Sequence, residues 1–435
     1  MKRVLATACF GLFFVQLDVT IVNVALRSIG GSLGAGTAAL QWVVDAYALA
    51  LASLMLSAGD AADRIGRRRV FVAGLGGFAL GSLGCALAPS AGALVAARAV
   101  QGVGAAALLP SSLAIVNHAY PEPRARARAI GIWAGVAAVG LAGGPLIGGL
   151  LVQSLGWRSV FWLNLPLCVV AVVATLRFVP ESRGGARRID VPGQVLAAAA
   201  LAALVFALIE GGRLGWGSPA VVSALGVLAV CGTAFVLREL RTAEPLLDLR
   251  DFRSPAFSAA NAASALMNIG MLGLLFALSL FFQRTQGLSP LAAGVRLLPL
   301  FAPFAVLAAA GGRLVGRTGP RLSASAGLAT AGVAFLAISP IDGSSGYGSI
   351  WWALVLVACG LAAATPALVS AATGALAPER GGIASAVNNT ARQAGGAVGV
   401  ALIGALPSIH ASLVASGCAL LGGAGVAAGI RFQPR

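Results

Sequence analysis

Three ionisable side chains interrupt stretches that are otherwise apolar. Asp18 sits in FVQLDVTIVNVAL, Asp45 in QWVVDAYALALASL and Arg98 in LVAARAVQGVGAAALL. A carboxyl group takes up and releases a proton, whereas a guanidinium keeps its charge at any working pH. Burial opposes a carboxylate's charge and a nearby cation favours it. Two acids and one fixed cation in apolar surroundings are therefore a set for handling protons. No comparable set exists for other chemistry. The two histidines, His118 and His410, stand far apart, and the six cysteines (Cys9, Cys85, Cys168, Cys231, Cys359, Cys418) stand singly with no CxxC pairing. The cysteines are expected as small packing residues, not disulfides or metal ligands, and no metal or cofactor is expected.

The elements that carry these residues follow from composition. Of the 435 residues 58% are hydrophobic and only 10% charged. Runs of about twenty residues almost without charge recur along the chain, and about 20 apolar residues span a bilayer core of ~30 Å. Soluble helices of that length need a polar face. The sequence is that of an all-α polytopic membrane protein. Fourteen apolar segments are predicted as spans: 4–27, 40–58, 69–88, 91–117, 127–152, 159–179, 194–210, 219–238, 257–282, 289–311, 321–338, 349–372, 383–405 and 408–430. Met1-Lys2-Arg3 ahead of an apolar run mimics a signal peptide, but the run is long and contains Asp18, so an uncleaved first span is expected.

A net charge of +16 would suggest nucleic acid for a soluble protein. Here the excess lies in short loops and sorts to one side. With the N-terminus inside, only Arg27, Arg158, Arg213 and Arg284 fall outside, and Arg98, Arg296 and Arg392 fall within spans. All other basic residues are cytoplasmic, which places both termini in the cytoplasm and excludes a nucleic-acid partner. The basic residues are almost all arginine, and alanine and glycine are abundant, as in a bacterium with a GC-rich genome, so the expected location is the bacterial inner (cytoplasmic) membrane. Counting ~1.5 Å per residue puts Asp18 ~21 Å from the inner start of its span, Asp45 ~8 Å and Arg98 ~10 Å from the outer ends of theirs. All three reach a similar depth. Gln101, three residues after Arg98, shares its face, and Arg296 and Arg392 are assigned to snorkelling or structural packing.

The cytoplasmic loop after the second span, GDAADRIGRRRVF (59–71), gathers charges that the rest of the chain lacks. It resembles the signature loop of the major facilitator superfamily through Gly59, Asp63, Arg64, Gly66, Arg67 and Arg68, with Ala61 where leucine is usual. GRLVGRTGPR (312–321) is a weaker echo in the second half, as a repeat would require. LDVTIVNVAL (17–26), RAVQGVGAA (98–106) and GLAGGPLIGG (140–149) resemble the first-, fourth- and fifth-span motifs of the fourteen-span drug:proton antiporters. The last matches through Gly140, Gly144, Pro145, Gly148 and Gly149, and Arg27 replaces a proline often found after the first. QWVVDAYALA (41–50) and NNTARQAGGAVGVA (388–401) are similar to spans 2 and 13 of that family.

The resemblance implies the major facilitator fold: a six-helix bundle in 1–179, an inserted two-helix hairpin with flanking loops in 180–256, and a second six-helix bundle in 257–435. It implies a proton-coupled antiporter that exports small hydrophobic or cationic compounds by alternating access. Asp18, Asp45 and Arg98 would handle protons, and Asn23, Gln101 and Asn268 would line the substrate cavity. The 59–68 loop would act as a conformational switch and the span-5 glycines would seal the halves against leak. Its partners would be a small-molecule substrate, protons and lipid, and it would work as a monomer. The alternatives are a facilitator for one metabolite, whose importing form the span-5 motif disfavours, or for one secreted natural product, and, more remotely, a membrane-embedded enzyme. An enzyme would need a His/Asp or Cys/His constellation, and His118 and His410 fall on opposite sides of the bilayer. GVGAAA (102–107) lacks the preceding strand of a dinucleotide loop, and the NNT sequon at 388–390 lies near the cytoplasmic side.

Overall fold

The computed structural model describes residues 1–185, 190–242, 245–377 and 380–430. Parts of the expected cytoplasmic loops 180–193 and 239–256, and the end of the C-terminal tail, lie outside the described residues. The helices are α1 (Lys2–Leu33), α2 (Thr37–Ile65), α3 (Arg67–Leu87), α4 (Ala91–Ala119), α5 (Pro123–Leu155), the single turn α6 (Ser159–Trp162) and α7 (Asn164–Phe178). After these come α8 (Val191–Leu214), α9 (Pro219–Arg241), α10 (Pro255–Leu280), α11 (Pro290–Ala337), α12 (Trp351–Gly374), α13 (Gly381–Gly404) and α14 (Ile409–Ala428).

Local chemistry explains many of the starts. Ser218 and Ser254 precede Pro219 and Pro255, and each hydroxyl accepts from a backbone N–H three residues on, at 3.4 Å. Glu122 does the same before Pro123, accepting from Arg124 and Ala125 at 3.1 and 2.8 Å. A side-chain acceptor at the cap and a proline with no N–H to leave unpaired together define where a helix begins.

Among the described residues, twelve helices are long and apolar enough to cross a membrane, two fewer than the fourteen predicted spans. Among the twelve are α8 and α9, at the positions of the predicted segments 194–210 and 219–238. The two segments that drop out are 321–338 and 383–405. The first is the continuation of α11, whose 48 residues run on across a non-helical Gly319 with φ 81°. The second, α13, is diluted by Asn388, Asn389, Thr390, Arg392 and Gln393. The echo at 312–321 is likewise not the loop that was expected: it is helical up to the break at Gly319.

The chain forms two compact units, residues 1–194 with 289–295, and residues 195–288 with 296–435. Most of α8 and all of α9 thus belong to the second unit. In the first, α4 packs on α2 and α3, and α1 packs on α5, around a core that includes Leu12, Phe14, Phe71 and Phe78. The α3–α4 seam is close because small residues line it: a Cβ on Gly81 would lie 2.5 Å from the Cα of Gln101. That approach sets the depth at which Gln101 meets α3. In the second unit α10 packs on α12, α13 and α14, with Phe257, Phe276, Phe282 and Phe335 fully buried.

Candidate functional site

Helix α1 carries Asp18 into the interior of the first unit, and α4 carries Arg98 and Gln101 to meet it; none of the three is more than 1% exposed. One guanidinium nitrogen of Arg98 donates to the Asp18 carboxylate and to Gln101 Oε1 at 2.7 Å. Its Nε donates to the Val43 carbonyl at 3.1 Å, and the cation lies 4.3 Å from the centre of the Tyr47 ring. Gln101 Nε2 donates to the other carboxylate oxygen of Asp18 at 2.9 Å and to Ser82 Oγ at 2.9 Å. Asn164 Nδ2 reaches the same two oxygens at 3.3 and 3.2 Å. Five helices, α1, α2, α3, α4 and α7, therefore meet in one closed polar knot within an apolar core.

The arrangement compensates both charges fully. A buried ion pair is tolerable only when its remaining donors and acceptors are also satisfied, and here the carboxylate takes N–H groups on both oxygens.

Asp45 is not part of this knot. It is fully buried on α2, and neither of its carboxylate oxygens has a hydrogen-bond partner among the described residues. Arg98 meets α2 at the Val43 carbonyl and the Tyr47 ring, on either side of Asp45 in sequence. Asn23 is buried on α1 and donates to the Val19 carbonyl at 3.0 Å. Asn268 lies in the second unit, on α10, and donates to the backbone carbonyl of Arg392 at 2.8 Å. Of the three predicted cavity residues, only Gln101 joins the Asp18–Arg98 pair. Tyr47, Ser82 and Asn164 belong to the knot although the sequence did not single them out.

The span-5 motif meets α1. A Cβ on Gly140 would stand 2.6 Å from the Phe13 carbonyl oxygen, one on Gly144 would overlap Thr20 and come within 2.9 Å of the Ile21 nitrogen, and one on Gly148 would stand 2.7 Å from the Ile21 side chain. Thr20 closes the contact by donating to the Leu141 carbonyl at 3.0 Å. Pro145 lies inside α5, and Gly149 faces Pro290 and Leu291 of the segment that joins the first unit.

The signature loop has a partner that the sequence did not reveal. Asp63 pairs with Arg67 at 2.8 Å across the turn, and Gly66 makes that turn at φ 133°, where a side chain would be strained. Beyond α7 the chain returns over the loop. The Ser182 carbonyl accepts from Arg67 N at 2.9 Å, and Gly184 N donates to the Asp63 carbonyl at 2.9 Å. Glu181 accepts from Arg68 N at 3.0 Å and lies 3.9 and 3.7 Å from the Arg68 and Arg69 side chains. Glu181 therefore caps the start of α3 from outside. Gly59 and Arg64 take no part in this contact, and Arg64 is exposed.

Removing that acceptor has a readable cost. Glu181→Ala takes an anion from a helix N-terminus and is expected to destabilise the protein by about 1–2 kcal/mol. Its thermal midpoint in size-exclusion analysis should fall while Glu181→Gln, which keeps an acceptor oxygen, falls less. Equal midpoints for Glu181→Ala and the parent would show that the cap contributes nothing.

Residues 8–400 match the Major Facilitator Superfamily. Over 394 residues the chain is 40% identical to the methylenomycin A resistance protein of Streptomyces coelicolor, covering 91% of this chain and 83% of that relative. It is also 40% identical over 402 residues to the multidrug resistance protein Stp of Mycobacterium tuberculosis, covering 91% and 74%. Among solved structures, a peptide transporter POT in complex with sulfate superposes with a TM-score of 0.74 at 19% identity, covering 98% and 93% of the two chains.

Proposed function

The chain belongs to the Major Facilitator Superfamily, and on that premise we propose that it is a proton-coupled antiporter, exporting small, largely hydrophobic molecules from the cytoplasm. It is a multi-pass membrane transporter of the drug-efflux kind, as relatives named for resistance to methylenomycin A and to multiple drugs indicate. The observation that carries proton coupling is the closed knot of Asp18, Arg98 and Gln101. An ion pair buried so completely stabilises little beyond what apolar packing would, so its presence in a lipid-embedded core argues for use.

The cycle follows from charge. In the closed knot Asp18 is a carboxylate held by Arg98. When the outer side opens and water reaches α1 and α4, protonation of Asp18 frees the guanidinium and lets the helices separate. Return of the proton to the cytoplasm restores the pair. One proton moved through ~100 mV supplies ~2.3 kcal/mol, enough for a ~50-fold gradient of a neutral substrate. Asp45, unpartnered at similar depth, is a second acid on this route. The loop at 59–68 with Glu181 would hold one access state by fastening the inner ends of α2 and α3. The span-5 glycines would hold α1 against α5 in both states.

We assign fourteen spans to this transporter, counting α11 twice across Gly319 and including α13, with both termini in the cytoplasm of a bacterial cell and the protein acting as a monomer. The α8–α9 pair would be an inserted hairpin whose turn, 215–218, faces outward. A single cysteine at Gly215 or Ser218, in a background without native cysteines, should react with a membrane-impermeant maleimide in intact cells. Reaction only after permeabilisation would remove the hairpin from the bilayer.

Export itself is tested in a pump-deficient host carrying the gene. Accumulation of a panel of hydrophobic compounds should fall, and a protonophore should restore it. Export that survives the protonophore would refute proton coupling.

A further inference from the structure

Helix α13 carries Arg392 midway along its 24 residues, about 16 Å from its start at ~1.5 Å per residue. From there an arginine side chain cannot snorkel to either headgroup layer. Its situation is the opposite of that of Arg98. Arg98 spends its donors on Asp18, Gln101 and Val43. The Nε of Arg392 is buried with no hydrogen-bond partner, and among the described residues no acid lies within salt-bridge distance of its side chain. The side chain is nevertheless partly exposed, so it is not sealed in the packing. A guanidinium does not escape the problem by losing its proton.

The surroundings are built to hold this residue in place. Asn268 of α10 grips the Arg392 backbone carbonyl at 2.8 Å. One turn earlier, Asn388 donates to Asn261 Oδ1 at 3.2 Å and to Ser264 Oγ at 2.8 Å. Its amide orientation is thus fixed by α10, which leaves its own Oδ1 buried without a donor. Gly395 and Gly399 let α13 lie directly on α10 at Ala265 and Ile269. A rigid two-helix frame therefore presents an unanswered cation and, one turn away, an unanswered acceptor.

We infer that Arg392 is the recognition site for an anionic group, a carboxylate on an otherwise apolar small molecule. The inference rests on the export reading above and narrows it. The second unit selects organic acids, and the absence of an acid beside Arg392 among the described residues disfavours cations there. A carboxylate supplies the two parallel acceptors that the flat guanidinium fork takes.

The test is equilibrium binding to the purified protein in lipid nanodiscs, with empty nanodiscs as blanks. It needs no gradient, so it fails or succeeds independently of export. The probe is radiolabelled 1-naphthoate, compared with its uncharged analogue 1-naphthamide and with 1-naphthylmethylammonium. The parent should bind the naphthoate about tenfold or more tightly than the amide, with the ammonium weakest, as expected for a charge-assisted contact. Arg392→Gln should erase the preference, Arg392→Lys should keep part of it, and Arg296→Gln should keep all of it. If Arg392→Gln does not remain monodisperse, the parent's order and Arg392→Lys still decide. Equal binding of naphthoate and amide by the parent, a preference for the ammonium, or full naphthoate preference in Arg392→Gln would each overturn the proposal.

Discussion

Asp18→Asn should abolish uphill export while leaving downhill exchange. The substrate ratio across the membrane is expected to collapse from about 50-fold towards one, the full yield of one proton at ~100 mV. Asparagine keeps the shape of Asp18 but loses the charge and one of its two acceptor oxygens, so Arg98 would be left unanswered in a site that is 1% exposed. Breaking one side of such a pair costs about 3–5 kcal/mol, and a loss of fold would imitate a loss of coupling. The double variant Asp18→Asn with Arg98→Gln removes both charges and should recover monodispersity without recovering coupling. The deciding measurement is proton release on adding substrate to detergent-solubilised protein at several pH values. Should Asp18→Asn release as many protons as the parent, the carrier lies elsewhere, and Asp45, buried and unpartnered, is the next acid to examine.

Gly144→Val is expected to be the most damaging substitution that changes no charge. A Cβ there would overlap Thr20 and crowd the Ile21 nitrogen, and valine adds two methyl groups beyond it. Overpacking of this kind costs about 1–3 kcal/mol. Here the obstacle is the Thr20 side chain with the Ile21 backbone beside it, and α1 must either withdraw from α5 or lose the Thr20–Leu141 bond. Because α1 also carries Asp18, its displacement should end transport even where some protein folds. Gly131→Val on the same helix is the control, since no atom lies within 4 Å of its new Cβ. Normal transport and monodispersity in Gly144→Val would mean that the α1–α5 contact is more yielding than its geometry implies.

The sequence betrayed Asp18, Arg98 and Gln101 because charge inside an apolar run is rare and helical rise fixes depth. Ser82 and Asn164 escaped notice for the converse reason: small polar residues are ordinary in such runs, and only tertiary packing brings α3 and α7 to Asp18. Glu181 is the only acid between Glu122 and Asp190. That isolation beside a cluster of arginines was a usable signal, but its docking on α3 is made through backbone groups that no side-chain pattern encodes. The count of spans was legible wherever hydropathy alone decides. It was not at Gly319, where one glycine stands between two helical stretches, nor in α13, where polar residues are matched by Asn261, Ser264 and Asn268 of α10. Arg392 was assigned to snorkelling or structural packing because the absence of a partner is invisible in a sequence.

The bond between Asp18 and Arg98 also constrains how the protein is made. Its two ends are 80 residues apart, so at ~5–20 residues per second the ribosome delivers Arg98 on the order of ten seconds after Asp18. During that interval a lone carboxyl waits in the bilayer or in the insertion channel, and α4 then arrives with a cation that lipid penalises by about 2.5–3.5 kcal/mol. Entry of α4 is favoured if α1 is still close enough to receive it. Biogenesis of this transporter thus requires the first helix to linger at the site of insertion until the fourth emerges, so that the two charges enter the membrane as a pair.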